Sequence, residues 1–155
     1  MPKKIVDRGD PYQWQVEQTV AAVVAEMPEI TDHEICYQSR VGPLEWIGPS
    51  TDDAIERAGK ACKGIVLTPI AFVSEHIETL VELDEEYEEL AAANGVTTYL
   101  RVPALGTQPE FIKSLADMVD TRLIKSAGLA PDTLSRICPL GFGKCRCAIM
   151  DTGNA

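Results

Sequence analysis

Positive charge is scarce in this chain. Fourteen lysines and arginines stand against 24 aspartates and glutamates, a formal net charge of −10 over 155 residues. Nucleic acids and anionic membrane surfaces are gripped through basic patches, so neither is expected as a main partner. Long apolar runs are also missing: no stretch approaches the ~18 residues of a membrane span. The opening MPKKIVDRGDPY has no apolar signal core, so nothing points to secretion. No glycine-rich phosphate loop is present, because the glycines lack the GxGxxG spacing. Histidine is limited to His33 and His76. Internal repeats and low-complexity tracts are absent.

What remains is a chain of a size that suits one domain with a real core. Asp10 is expected to cap a helix opening at Pro11 and running to Pro28, with Trp14, Val20, Val23, Val24 and Met27 as its apolar positions. His33 to Gln38 reads as a short strand. SRVGPLEWIGPSTDD follows as a shaped loop punctuated by two Gly-Pro pairs. Ser50 or Thr51 starts a helix through Ala61. GIVLTPIAF is a continuous apolar run of the buried parallel-strand kind. A helix from Ser74 to Ala93 stops at Asn94-Gly95. Val96 to Val102 reads as a strand and Gln108 to Lys125 as a helix. This alternation predicts an α/β fold, a parallel sheet with helices on both faces, whose ligands sit at the carboxyl ends of strands. The domain is expected over residues 1–125, with an irregular cysteine-containing extension over 126–155.

Eight of the fifteen residues from Glu75 to Glu89 are acidic, and no lysine or arginine falls between Ser74 and Asn94. Glu78, Glu82 and Glu86 are spaced i, i+4, i+8 and form a ladder on one helix face; like charges so placed cost about 0.2–0.5 kcal/mol per pair. Leu80, Leu83, Tyr87 and Leu90 fall on the stripe expected to face the sheet. Either the ladder is a solvated face, or it is a path for cations or protons leading to His76. In an ideal α-helix His76 and Glu78 point in nearly opposite directions. They share a site only if His76 stands at the helix start or if the first turn widens into a π-type turn.

Five cysteines are present: Cys36, Cys62, Cys138, Cys145 and Cys147. Without a sign of secretion they are expected as thiols or metal ligands rather than disulfides. The last three form C-x6-C-x-C, a cluster favouring zinc or iron–sulfur, one donor short of four. Cys36 and Cys62 read as packing residues. Free thiols on a loose tail are the alternative.

Four stretches together resemble the C-terminal half of the ferrochelatases, which insert ferrous iron into porphyrins. They are RGDPY (Arg8–Tyr12), QSRVGPLEWIGPSTDD (Gln38–Asp53), PIAFVSEHIETLVELDEEY (Pro69–Tyr87) and RVPALG followed by P-x-F-I (Arg101–Ile112). They occur in the family's order and cover nearly the whole chain. The resemblance implies a Rossmann-like, chelatase-type sheet forming one half of a two-domain chelatase, with the porphyrin in the cleft between the halves. It assigns His76 and Glu78 to the family's catalytic site and places His76, Glu78, Glu82 and Glu86 along its metal line. It assigns Trp46 to the porphyrin pocket and Gln38, Ser39 and Arg40 to the loop beside it. The tail is similar to that of bacterial members with a [2Fe–2S] cluster. There Cys138, Cys145 and Cys147 would join a fourth cysteine from the first half, so the cluster is expected in the full-length protein and incomplete or absent in this chain.

The resemblance also implies partners: the porphyrin, ferrous iron as substrate, and an N-terminal half of the same protein. It implies a cytoplasmic location with peripheral contact at the inner membrane. The family's other site histidine belongs to a stretch ending at the position of Pro2, so the chain is expected to start just past it and to be inactive alone. Two alternatives stay open: a small dimeric cobalt chelatase, and a non-catalytic iron–sulfur or zinc module.

Overall fold

A computed structural model describes residues 1–38, 42–124 and 136–147. Ser39, Arg40 and the expected boundary at 125/126 lie outside them. The elements run α1 (Lys3–Val6), α2 (Tyr12–Ala25), α3 (Thr51–Lys60), β1 (Ile65–Leu67), a π-helical stretch (Glu78–Glu86) that continues as α4 (Tyr87–Ala93), β2 (Tyr99–Arg101) and α5 (Pro109–Ile124). No described helix is long and apolar enough to cross a membrane.

Local chemistry explains the helix starts. The Asp10 carboxylate accepts the Tyr12 backbone N–H at 2.9 Å, capping α2. Ser50 and Asp53 form a reciprocal capping box on α3, with Asp53 N donating to Ser50 Oγ at 3.1 Å. β1 and β2 pair in parallel with Ile65 opposite Tyr99 and Leu67 opposite Arg101. Ile55, Ala91 and Val96 form the core, packed by Ile65, Tyr87, Leu90 and Tyr99. Gly59 lets α3 approach the end of α4: an added Cβ would lie 2.2 Å from the Asn94 carbonyl oxygen.

The fold is thus α/β, a short parallel sheet flanked by helices. Its extent differs from expectation. The apolar run after Gly64 is a strand for three residues, and Val66 is 67% exposed. His33–Gln38 does not join the sheet. Tyr37 pairs with Ser50, its N–H bonded to the Pro49 carbonyl at 2.9 Å, and this segment and β1 both line a cavity of about 1120 Å³. Val16, Val20, Val23 and Val24 of α2 line it too, which is why α2 buries none of its residues fully.

The buried stripe of the acidic helix also differs. Thr79, Leu83 and Ala91 are buried and Tyr87 packs on the core, while Leu80 is 49% exposed. These residues repeat every four positions. A π turn holds more residues than an α turn, so the inward face takes that longer period and Leu80 rotates out.

Candidate functional site

β1 and β2 deliver their carboxyl ends side by side. The chain leaves β1 through Thr68–Glu75 and reaches His76 just before the helix begins. Thr79, 0% exposed, fixes the histidine's backbone: its hydroxyl accepts the His76 N–H and donates to the His76 carbonyl, both at 2.9 Å. The Thr79 and Leu80 N–H groups also bond that carbonyl, at 3.0 and 2.9 Å. The imidazole meets the Phe72 ring in a T-shaped contact, centroids 4.4 Å apart.

Both geometric conditions for sharing a site are met: His76 stands at the helix start and the helix that follows is widened. The imidazole Nδ1 lies 3.9 Å from Glu78 Oε2. Nδ1 also accepts the Glu78 backbone N–H at 3.2 Å, so in the neutral ring the proton sits on Nε2.

Glu82 is held from across the chain. The Gln38 amide donates to its carboxylate, and the Tyr87 hydroxyl donates to the Gln38 carbonyl. Gln38 therefore touches the acidic line itself. Burial pushes the Tyr87 phenol up to about 12 and keeps it a donor. Glu86 is exposed. Trp46 is bridged to Pro2, and its buried Nε1 has no hydrogen-bond partner among the described residues. His33 is exposed on the segment before Tyr37.

The acidic row, uncompensated in sequence, is compensated in space. Arg101 at the end of β2 binds Glu75 through Nη1 at 2.9 and 3.1 Å, and binds Asp84 through Nε and through Nη2 at 2.6 Å. The Ala104 N–H adds a bond to Glu75 at 2.8 Å. With Arg101's hydrogen bonds leading, the Glu75 carboxyl is held down at about 2. Sequence reasoning gave Arg101 and Thr79 no role. A signal for Arg101 existed, since it ends a strand whose parallel neighbour leads into the acidic loop.

In the tail, Cys138 and Cys145 are buried with sulfurs 3.1 Å apart, and Cys147 is half-buried. Burial raises the Cys138 and Cys147 thiols. Arg136 donates to the Pro139 and Phe142 carbonyls at 2.6 and 2.7 Å, shaping the loop between them. The tail docks through Phe142 on Trp14, centroids 6.0 Å apart, and through the Lys144 N–H on the Gly9 carbonyl at 3.0 Å. Among the described residues no group of three or more His, Cys, Asp or Glu side chains is close enough to hold a metal, either here or at the acidic helix.

Fold and site together define an α/β domain that presents an imidazole and carboxylates at a strand exit. The chain belongs to the ferrochelatase family, whose profile matches residues 1–123, from α1 to nearly the end of α5. It is 56% identical over 147 residues to a ferrochelatase of Caulobacter vibrioides, covering 95% of this chain and 42% of that protein. It is 54% identical to one from Phenylobacterium zucineum, with the same coverage, and 47% identical to one from Rickettsia conorii, covering 96% and 44%. The chain thus spans about two fifths of the length of the curated relatives it matches.

Proposed function

We propose that this chain carries the ion-receiving side of an enzyme that inserts ferrous iron into a porphyrin for haem synthesis, the rest of the cleft coming from a second half of the same protein. The observation that carries this reading is the His76–Glu78 pair, 3.9 Å apart on one side of a widened helix at a strand exit.

The reaction requires two pyrrole protons to leave and a ferrous ion to be handed over with its water stripped. Glu78 takes the ion: carboxylate oxygens bind ferrous iron loosely enough to release it, where thiolates would trap it. His76 is the proton acceptor, an imidazole beside the Glu78 carboxylate. Glu82, oriented by Gln38, and Glu86 continue the line outward and carry ions in or protons away. The family resemblance supports Trp46 as an aromatic wall and Ser39 and Arg40 as porphyrin-binding residues.

The donor set of the tail fits a [2Fe–2S] cluster in part. Cys138, Cys145 and Cys147 would supply three thiolates, and the second half the fourth. The cluster would cross-link the tail to that half, and the raised thiols mean that loading releases protons. The family resemblance supports a cytoplasmic enzyme with peripheral contact at the inner membrane.

Iron insertion by the full-length protein, followed by loss of porphyrin fluorescence, tests the reading. Glu78→Gln keeps shape and removes the charge, and is expected to lower kcat/KM by about 100-fold or more. Wild-type activity in that variant would overturn the assignment.

A further inference from the structure

We propose that Arg101 is a positioning residue for the His76–Glu78 pair, tying the residue before His76 to the helix that carries Glu78. The proposal rests on the ferrochelatase reading and adds a residue to it.

Arg101 is nearly enclosed: its side chain is 9% exposed. A single guanidinium binds two carboxylates, taking Asp84 through Nε and Nη2 and Glu75 through Nη1. This planar, two-sided grip is particular to arginine. Its two ligands bracket the site in sequence. Glu75 directly precedes His76, and Asp84 lies inside the π-helical stretch, beyond Glu78 and Glu82.

Glu75 and His76 precede the helix, whose widened stretch begins at Glu78. The approach of the imidazole to Glu78 is therefore set by how this entry sits against the helix. By holding Glu75 and Asp84 together, Arg101 ties the entry that carries His76 to the helix that carries Glu78.

The grip neutralises Glu75 and Asp84. β2 is thereby coupled to the site: Arg101 ends the strand, and the loop after it donates the Ala104 N–H to Glu75 at 2.8 Å.

The test uses the full-length protein with Arg101→Gln, Arg101→Lys and Asp84→Asn, read by steady-state kinetics and by amide exchange at Thr79 and Leu80. The expected result is a KM for ferrous ion raised about tenfold, a porphyrin KM within twofold of wild type, and faster exchange at both amides. Lysine, a point charge, should not rescue. If Arg101→Gln fails to fold, Asp84→Asn opens half of the same grip and carries the same expectation. An unchanged ferrous KM with unchanged exchange, or full rescue by lysine, would overturn the proposal. The two readings separate cleanly. If Glu78→Gln is inactive while the Arg101 variants are unaffected, the positioning role fails and the chelatase reading stands. If the wild-type protein inserts no iron, the chelatase reading fails, and amide exchange still reports on the grip.

Discussion

Two regions of this molecule gather side chains of metal-ligating types, and they are held in different ways. From Glu75 to Tyr87 the side chains are fixed by residues distant in sequence: Gln38 reaches Glu82, and Arg101 reaches Glu75 and Asp84. From Arg136 to Cys147 the loop is shaped by its own carbonyls and rests on the neighbourhood of α1 and α2 at Gly9 and Trp14. The acidic segment holds its carboxylates on a scaffold, with Glu78 beside an imidazole. In the tail, the Cys138 and Cys145 sulfurs close on each other at 3.1 Å. The first arrangement suits an ion that must come and go. The second suits a group that stays once its donors are complete.

The register of the acidic helix is the part of this contrast most open to attack. Leu83 is buried and Leu80 is half exposed, so the two leucines, three residues apart, respond differently. Leu83→Ala should cost about 2–5 kcal/mol in chemical denaturation, and Leu80→Ala less than about 1 kcal/mol. Equal costs would return the helix to an ordinary α register and erase the difference between the two regions.

A smaller effect separates the tail from the site. Gly9 has φ +92°, and an added Cβ would lie 3.0 Å from the Gly143 backbone nitrogen and 3.1 Å from the Gly141 oxygen. Gly9→Ala is expected to cost about 1–2 kcal/mol. It should speed amide exchange at Lys144 while leaving exchange at Thr79 unchanged. Loss of protection at both amides would show that the regions are not independent.

Much of the scaffold was legible from local chemistry. Ser50 and Asp53 mark the start of α3, Asn94-Gly95 marks the end of α4, and the two apolar runs mark β1 and β2, because each signal acts within a few residues. The strand expected at His33–Gln38 was not found, because pairing depends on what lies alongside, and Tyr37 found Pro49 and Ser50 instead. At the site, His76 and Glu78 stood out by composition. Helix entry and a widened first turn were the two conditions that the sequence left open. The choice depends on how the entry sits on the helix, and contacts such as Arg101 with Asp84 are made between residues 17 apart.

The central claim is that His76, standing just before the helix, and Glu78 at its start share one side, as a loose berth for a divalent ion. The direct measurement is a crystal structure of the full-length protein soaked with a divalent stand-in such as cobalt(II), with anomalous density locating the ion. The account predicts a peak bonded to the Glu78 carboxylate on the side facing His76. Density bound elsewhere with none at Glu78, or a helix in which these two side chains point to opposite sides, would contradict it.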